Sequence, residues 1–433
     1  MPRVEVIGAG ASGMKAAFDL AEARMNVVVY EAEGQVGGRV RSATLGDEVV
    51  DLGAESFEAG EQSEWVREFN DRHVFPPDYE LIDPFAEVER RLYWYPEGEL
   101  TAADVDTVMF TAGARRAVEV FDANVESTQD VAVSQGADLD PLTARVAFQV
   151  SHLGAFSESI EPSRYSAQDR SRNRSEGADL RPFLDGKPIG IGNLFLTYGT
   201  KLADVARIRT SVSIVAIERR LEGGWRIRLS DFSEEAYDAV IVTVSAAVLA
   251  HEQLPLPASL RTALRDAFEG IEIGGYTKVG MLWPTAATKL GSAAAWYFYV
   301  DRQSTSAWQV TKMKDSNVLV AAVAGSTARD LSLMRTIELA AEVVRRTLEP
   351  ARDAEQTIIS PWMLNPNFHG AYSYSRVGAG GARPALLRTL EGYRANGIFL
   401  AGEALSLPLY GSLEATWNTG SAAAAQCIEF LGG

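Results

Sequence analysis

Val4-Glu5-Val6-Ile7-Gly8-Ala9-Gly10-Ala11-Ser12-Gly13 is the stretch on which the fold turns. A short β-branched run leads into three glycines, and Met14 to Arg24 follows with the Ala- and Leu-rich spacing of a helix. A second apolar run, Asn26-Val27-Val28-Val29-Tyr30, ends in Glu31, eighteen residues beyond Gly13. Strand, glycine turn, helix and strand in this order, at this length, form a dinucleotide-binding unit. Gly8 permits the turn, Gly10 admits a pyrophosphate to the backbone beside Ala11 and Ser12, and Gly13 lets helix and strand approach. Glu31, with Ala32 after it, stands where an acid accepts hydrogen bonds from a ribose and disfavours a 2′-phosphate.

Further along, Ile208 to Ile217, Trp225 to Leu229 and Ala239 to Val244 read as strands separated by turns such as Glu222-Gly223-Gly224. Gly397 to Glu403 reads as a buried strand entering a turn, and Leu413 to Leu431 as a closing Ala-rich helix. Residues 80–185 are polar and helical in pattern, whereas 266–380 mix strands with many aromatics. The expectation is therefore an α/β protein of two interleaved domains. A dinucleotide-binding domain comprises 1–79, 186–265 and 381–433, and an α+β substrate-binding domain comprises 80–185 and 266–380.

Composition narrows the function. The 433 residues hold 41 Lys plus Arg against 58 Asp plus Glu, a net charge of −17, which excludes the broad basic footprint that nucleic acid requires. Arg170, Arg172 and Arg174 make a local exception in a Ser-rich stretch that reads as a solvated loop. The single cysteine, Cys427, supports neither an internal disulfide nor a multi-cysteine metal site, so no metal is expected and a reducing, cytoplasmic setting is. The first strand begins without a leader pattern, and the longest apolar run, Ala239 to Ala250, falls short of the roughly 20 residues of a spanning helix, so no membrane association is expected. His73, His152, His251 and His369 lie in no nucleophile motif.

After Glu31 comes Gly34-Gln35-Val36-Gly37-Gly38-Arg39-Val40-Arg41, which resembles the Gly-Gly-Arg turn of the two-dinucleotide-binding-domain flavoproteins. Paired glycines expose backbone amides, and Arg39 adds fixed positive charge next to phosphate or flavin. Gly402-Glu403, then Gly411-Ser412-Leu413-Glu414-Ala415 and Gly420, resemble the carboxyl end of the flavin amine oxidases, a family that includes the monoamine and L-amino acid oxidases. Ile214 matches its adenine-side strand, Lys278 the lysine it holds through a water beside the flavin, and Trp362 to Tyr374 its run into the active face. The resemblance implies a Rossmann-like FAD domain, non-covalent FAD (Ala371 stands where the covalent cysteine would lie), and Tyr372 as one wall of an aromatic substrate cage. It implies Lys278 and Tyr372 as catalytic residues, and Gly8, Gly10, Ala11, Ser12, Gly13, Glu31, Ala32, Gly38, Arg39, Gly53, Ala54, Glu55, Ser56, Ile214, Trp362, Gly402, Glu403, Gly411, Ser412 and Leu413 around the cofactor.

Two departures leave alternatives open. The second cage tyrosine of the monoamine oxidases falls at Ser412, which leaves Tyr410 or Trp417 to replace it, with His369 also placed toward substrate. Asp51 to Phe57 resembles the protoporphyrinogen oxidases, and Ser56 stands where amino-acid oxidases carry a carboxylate-binding arginine, a role left to residues such as Arg91 or Arg376. The expected reaction is removal of hydride from the amine-bearing carbon of a small amine, with oxygen reduced to hydrogen peroxide. The alternatives are an L-amino acid oxidase, a protoporphyrinogen-type dehydrogenation and a non-catalytic flavin-binding protein, with a homodimer as the assembly considered.

Overall fold

The computed structural model describes the chain except residues 57–62, 85, 87, 89, 97, 101–111, 128, 139–159, 174–179, 284–290, 302, 304, 305 and 433. Phe57, His152 and Arg174 lie outside the described residues, as does much of the 80–185 segment.

The opening strand Arg3–Ile7 is central to a five-stranded parallel sheet, in the order Arg207–Arg209, Asn26–Tyr30, Arg3–Ile7, Ala239–Val242, Ile398–Leu400. Val4 pairs with Val27 on one side and Ala239 on the other, so segments more than 200 residues apart share one register. Strands covered on both faces need apolar side chains throughout, which is why Asn26–Tyr30 and Ala239–Val242 read as continuous apolar runs. One face carries the helices Ala11–Glu22, Glu64–Asp71, Ile191–Ala203 and Leu413–Phe430. The other carries an antiparallel meander, Ile214–Arg219, Trp225–Leu229 and Glu234–Tyr237, together with the helices Ala246–Ala250, Ala258–Phe268 and Ala382–Glu391.

The run Ile208 to Ile217, read as one strand, is two. Arg207–Arg209 stays in the parallel sheet, Ser211 takes a left-handed conformation (φ 57°), and Ile214–Arg219 starts the meander. The described part of 80–185 is likewise not helical throughout. Arg90–Tyr95 pairs in parallel with Ala295–Asp301 and joins a seven-stranded sheet in the order Gln356–Ile359, Tyr276–Leu282, Val318–Ala324, Ser306–Lys312, Ala295–Asp301, Arg90–Tyr95, Gly98–Leu100. The amphipathic helix Leu333–Leu348 covers one face of this sheet, burying Ala340, Val343, Val344 and Leu348 against Val279, Met281 and Val323. On the opposite face Phe298, Ala322 and Ala324 pack with Ala117, Phe121 and Tyr165.

Glu5 breaks the apolar pattern of the central strand. It is fully buried, neither carboxyl oxygen has a hydrogen-bond partner among the described residues, and burial followed by the charge of Glu235 pushes its pKa well above the carboxylate range. A carboxyl whose folded pKa exceeds its unfolded value binds more protons folded than unfolded, so stability falls as pH rises above the ordinary glutamate value. Glu5→Val is expected to stabilise the protein by about 1–3 kcal/mol at pH 8 and by less at pH 5; an unchanged melting temperature at pH 8 would show that the carboxyl is satisfied.

Candidate active site

A cavity of about 990 Å³ opens where the first turn, the end of the last parallel strand and the second sheet meet. Its size is at the upper end of the roughly 300–1,000 Å³ of small-molecule sites. Gly8 turns at φ +102°, and a Cβ on Gly13 would lie 1.9 Å from the Gly8 carbonyl oxygen, so the helix rests directly on the turn. A Cβ on Gly10 would meet nothing within 4 Å and would project into open space beside the helix N-terminus. Glu31, buried at the end of its strand, accepts from Ala9 N at 2.7 Å and Glu33 N at 2.8 Å. Burial outweighs those bonds and raises its pKa. Ala32, Gly38, Ser213 and Ile214 continue the lining, and Gly402, Gly411, Ser412 and Leu413 close it from the carboxyl end. There the Ser412 hydroxyl caps the last helix by accepting from Ala415 N at 3.0 Å.

Two helix N-termini, an acid at a strand end and open glycine backbone are what a dinucleotide with a pyrophosphate requires, so the residues fit FAD. Arg39 reaches across to donate to the Ala371 carbonyl and lies 3.4 Å from Glu403. Glu403, 4% exposed, also accepts from Ser373 Oγ at 2.6 Å, Ser373 N at 3.2 Å and Gly411 N at 3.2 Å. Trp362 lines the cavity and donates its indole N–H to the Leu52 carbonyl at 2.9 Å. Gly53, Ala54, Glu55 and Ser56 line it too.

Lys278 projects from Tyr276–Leu282 and is 3% exposed. Its ammonium is 2.9 Å from Glu55 and donates to the carbonyls of Gly53 at 2.8 Å and Asp51 at 3.3 Å. A lysine in an apolar strand is tolerable on these terms, since its charge is paired and hydrogen-bonded. Burial works to raise the Glu55 pKa, but the charges of Arg181, 3.3 Å away, and Lys278 overcome it and hold the carboxyl below its usual value. Around this ion cluster Tyr165, Tyr276, Trp296, Phe298, Tyr372 and Tyr410 form an aromatic wall, with Tyr165 and Tyr410 joined hydroxyl to hydroxyl at 2.6 Å.

The structure brings together Tyr372 and Tyr410 but corrects other placements. Trp417 is fully buried in the core against Phe69, Phe195 and Tyr198, because its helix turns that face toward the helices Glu64–Asp71 and Ile191–Ala203. His369 does not line the cavity. It packs edge-on to His251 at 4.9 Å, with Nε2 2.7 Å from the Gln253 amide nitrogen. Gly13 serves packing and does not line the cavity either. Arg170, read as part of a solvated loop, belongs to the helix Ala167–Arg172 and lines the cavity, while Arg172 donates to the Gly380 carbonyl at 2.5 Å. Arg181, Tyr165, Trp296, Phe298 and Gln309 also line it and went unread. The alternation of Trp296 and Phe298 on one strand was the available signal.

A parallel-sheet dinucleotide fold, a pyrophosphate-ready turn and a buried lysine facing an aromatic cavity define a flavoprotein oxidoreductase. The family of flavin-containing amine oxidoreductases matches residues 190–428, and an NAD(P)-binding Rossmann-like domain matches residues 6–72. The chain belongs to the flavin-containing amine oxidoreductases; it is a flavin-dependent enzyme, and its cofactor is FAD. Among curated relatives, the probable polyamine oxidase 4 of Arabidopsis thaliana is 24% identical over 465 residues, covering 99% of this chain and 88% of that one. Polyamine oxidase 4 of Oryza sativa subsp. japonica is 24% identical over 460 residues, covering 98% and 88%. The likeness to a protoporphyrinogen oxidase of Arabidopsis thaliana is local, 44% over 59 residues or 14% of this chain and 12% of the relative. The solved structure of a wild-type putrescine oxidase bound to putrescine shares the fold with a TM-score of 0.70 and 18% identity, over 99% of each chain.

The contrast between two glycines provides a test. Gly10→Val is expected to fold, with the melting temperature of the wild-type apoprotein, yet bind FAD at least about tenfold more weakly, because its side chain enters the space open to the pyrophosphate. Gly13→Val is expected not to fold, and equal FAD affinity in Gly10→Val and wild type would remove the pyrophosphate from this turn.

Proposed function

We propose that the protein is an oxidase of aliphatic di- or polyamines that uses oxygen as acceptor. The observation that carries this reading is that Lys278, Tyr372 and Tyr410 line the same cavity as the FAD-fitting backbone of Gly10, Gly38 and Gly402. Held there without a covalent bond, FAD would supply the redox chemistry, a two-electron oxidation of the amine to an imine with oxygen reduced to hydrogen peroxide. The imine is then hydrolysed, so amine, oxygen and water become carbonyl, ammonia or a shorter amine, and peroxide.

The chain's own contribution is binding and orientation. The aromatic wall excludes water and favours the uncharged amine, while Lys278 is kept in place by Glu55, Gly53 and Asp51. The carboxylate anchor that an amino acid would need is not supplied by Arg91, which pairs with Glu99 at 3.2 Å, or by Arg376, which turns to the Glu269 carbonyl at 3.2 Å. Neither lines the cavity; of the arginines that do, Arg39 and Arg181 pair with Glu403 and Glu55, and Arg170 donates to the Asn173 carbonyl. The polyamine and putrescine oxidases among the similar proteins support the same substrate class.

Aerobic peroxide release should be measured with putrescine, spermidine, spermine and a panel of L-amino acids. Release with at least one of the amines and none with the amino acids is expected; the reverse pattern would refute the reading. Lys278→Met is expected to retain FAD but oxidise the best amine at least about tenfold more slowly, roughly 1.4 kcal/mol in barrier terms. An unchanged rate would take Lys278 out of the chemistry.

A further inference from the structure

Behind the aromatic wall lies an ion pair that the reaction as described does not use. Arg383, at the second position of Ala382–Glu391, and Asp169, in Ala167–Arg172, are both fully buried, with Arg383 Nε 3.7 Å from Asp169 Oδ1. Arg383 Nη1 donates to the Ala404 carbonyl at 2.6 Å and to Ser373 Oγ at 3.1 Å. Ser373 Oγ in turn donates to Glu403 at 2.6 Å. The centre of the guanidinium lies 3.7 Å from the centroid of the Tyr410 ring. Asp169 is itself tied down by Ser375 N at 2.8 Å.

A fully buried pair of this kind is a poor source of stability, because desolvation of both charges offsets their attraction. Here the geometry adds to the penalty, since Arg383 Nε and Nη2 have no hydrogen-bond partner among the described residues. What the pair does achieve is connection. One planar cation backs the ring of Tyr410, and through Ser373 it reaches Glu403, whose other contacts are Arg39 and the Gly411 amide next to Tyr410. Arg383 itself does not reach the cavity.

We propose that Arg383 is a positioning residue that holds Tyr410 and Glu403 in fixed relation, so that the substrate wall and the acid on the cofactor side stand as one unit. The inference deepens the amine-oxidase reading and rests on it only for the substrate arm of its test. Tyr410 is then held from two sides, by the cation behind its ring and by the Tyr165 hydroxyl at 2.6 Å.

Arg383→Lys and Arg383→Met separate the two connections. Lysine keeps the charge for Asp169 and a donor for Ser373 but cannot lie flat beneath a ring. Arg383→Lys is expected to bind FAD within about twofold of wild type, by titration of the apoprotein, while raising KM for spermidine about tenfold with kcat changed less than threefold. Arg383→Met is expected to weaken FAD binding about tenfold as well; should it not fold, Asp169→Asn combined with Arg383→Met removes the stranded charge and takes its place. An unchanged KM in folded Arg383→Lys, or unchanged FAD affinity on removal of the charge, overturns the proposal. If the wild type does not oxidise spermidine, that failure belongs to the amine reading, and the FAD constants still decide the role of Arg383.

Discussion

The contact on which the architecture depends is the seating of the first helix on two glycines. At Gly13 a Cβ would lie 1.9 Å from the Gly8 carbonyl, and at Gly420 it would lie 2.4 Å from the Ser12 carbonyl. The helices Ala11–Glu22 and Leu413–Phe430 can therefore approach backbone to backbone, and both begin at the rim of the same cavity. Two positive dipole ends converge there because four hundred residues of chain return to the point where they started. A side chain at Gly13 would push the first helix off the Gly8 turn and one at Gly420 would separate the two helices, so either would dissolve the convergence.

Local chemistry of this kind is legible in sequence. The turn, the ribose acid and the glycine-rich segment up to Arg39 all fall within one strand–turn–helix–strand unit and the loop after it, so spacing alone reveals them. Lys278 was legible as an anomaly, a charge in an apolar strand, but its partner was not. Glu55 is 223 residues away, and the carbonyls of Gly53 and Asp51 belong to no pattern that names them as ligands of an ammonium. Trp417 shows the opposite error. Its place in a motif suggested substrate, but a helix has several faces, and this one turns the indole into the core with Phe69 and Tyr198. The division of 208–217 into two strands was hidden for another reason, since β-branched residues continue through the break and only the left-handed Ser211 marks it.

The cavity also shows why an acidic chain need not present an acidic site. Lys278 and Arg181 share Glu55, and Arg39 stands beside Glu403, so these two carboxylates are engaged before any ligand arrives. An ammonium would meet cations already holding these acids. An uncharged amine would meet the rings of Tyr372 and Tyr410 instead, and removal of hydride needs the nitrogen lone pair that protonation would occupy. For an amine substrate the ion pairs and the aromatic wall would favour the same protonation state, the first by leaving less for a charge to bind and the second by offering apolar surface to the neutral form.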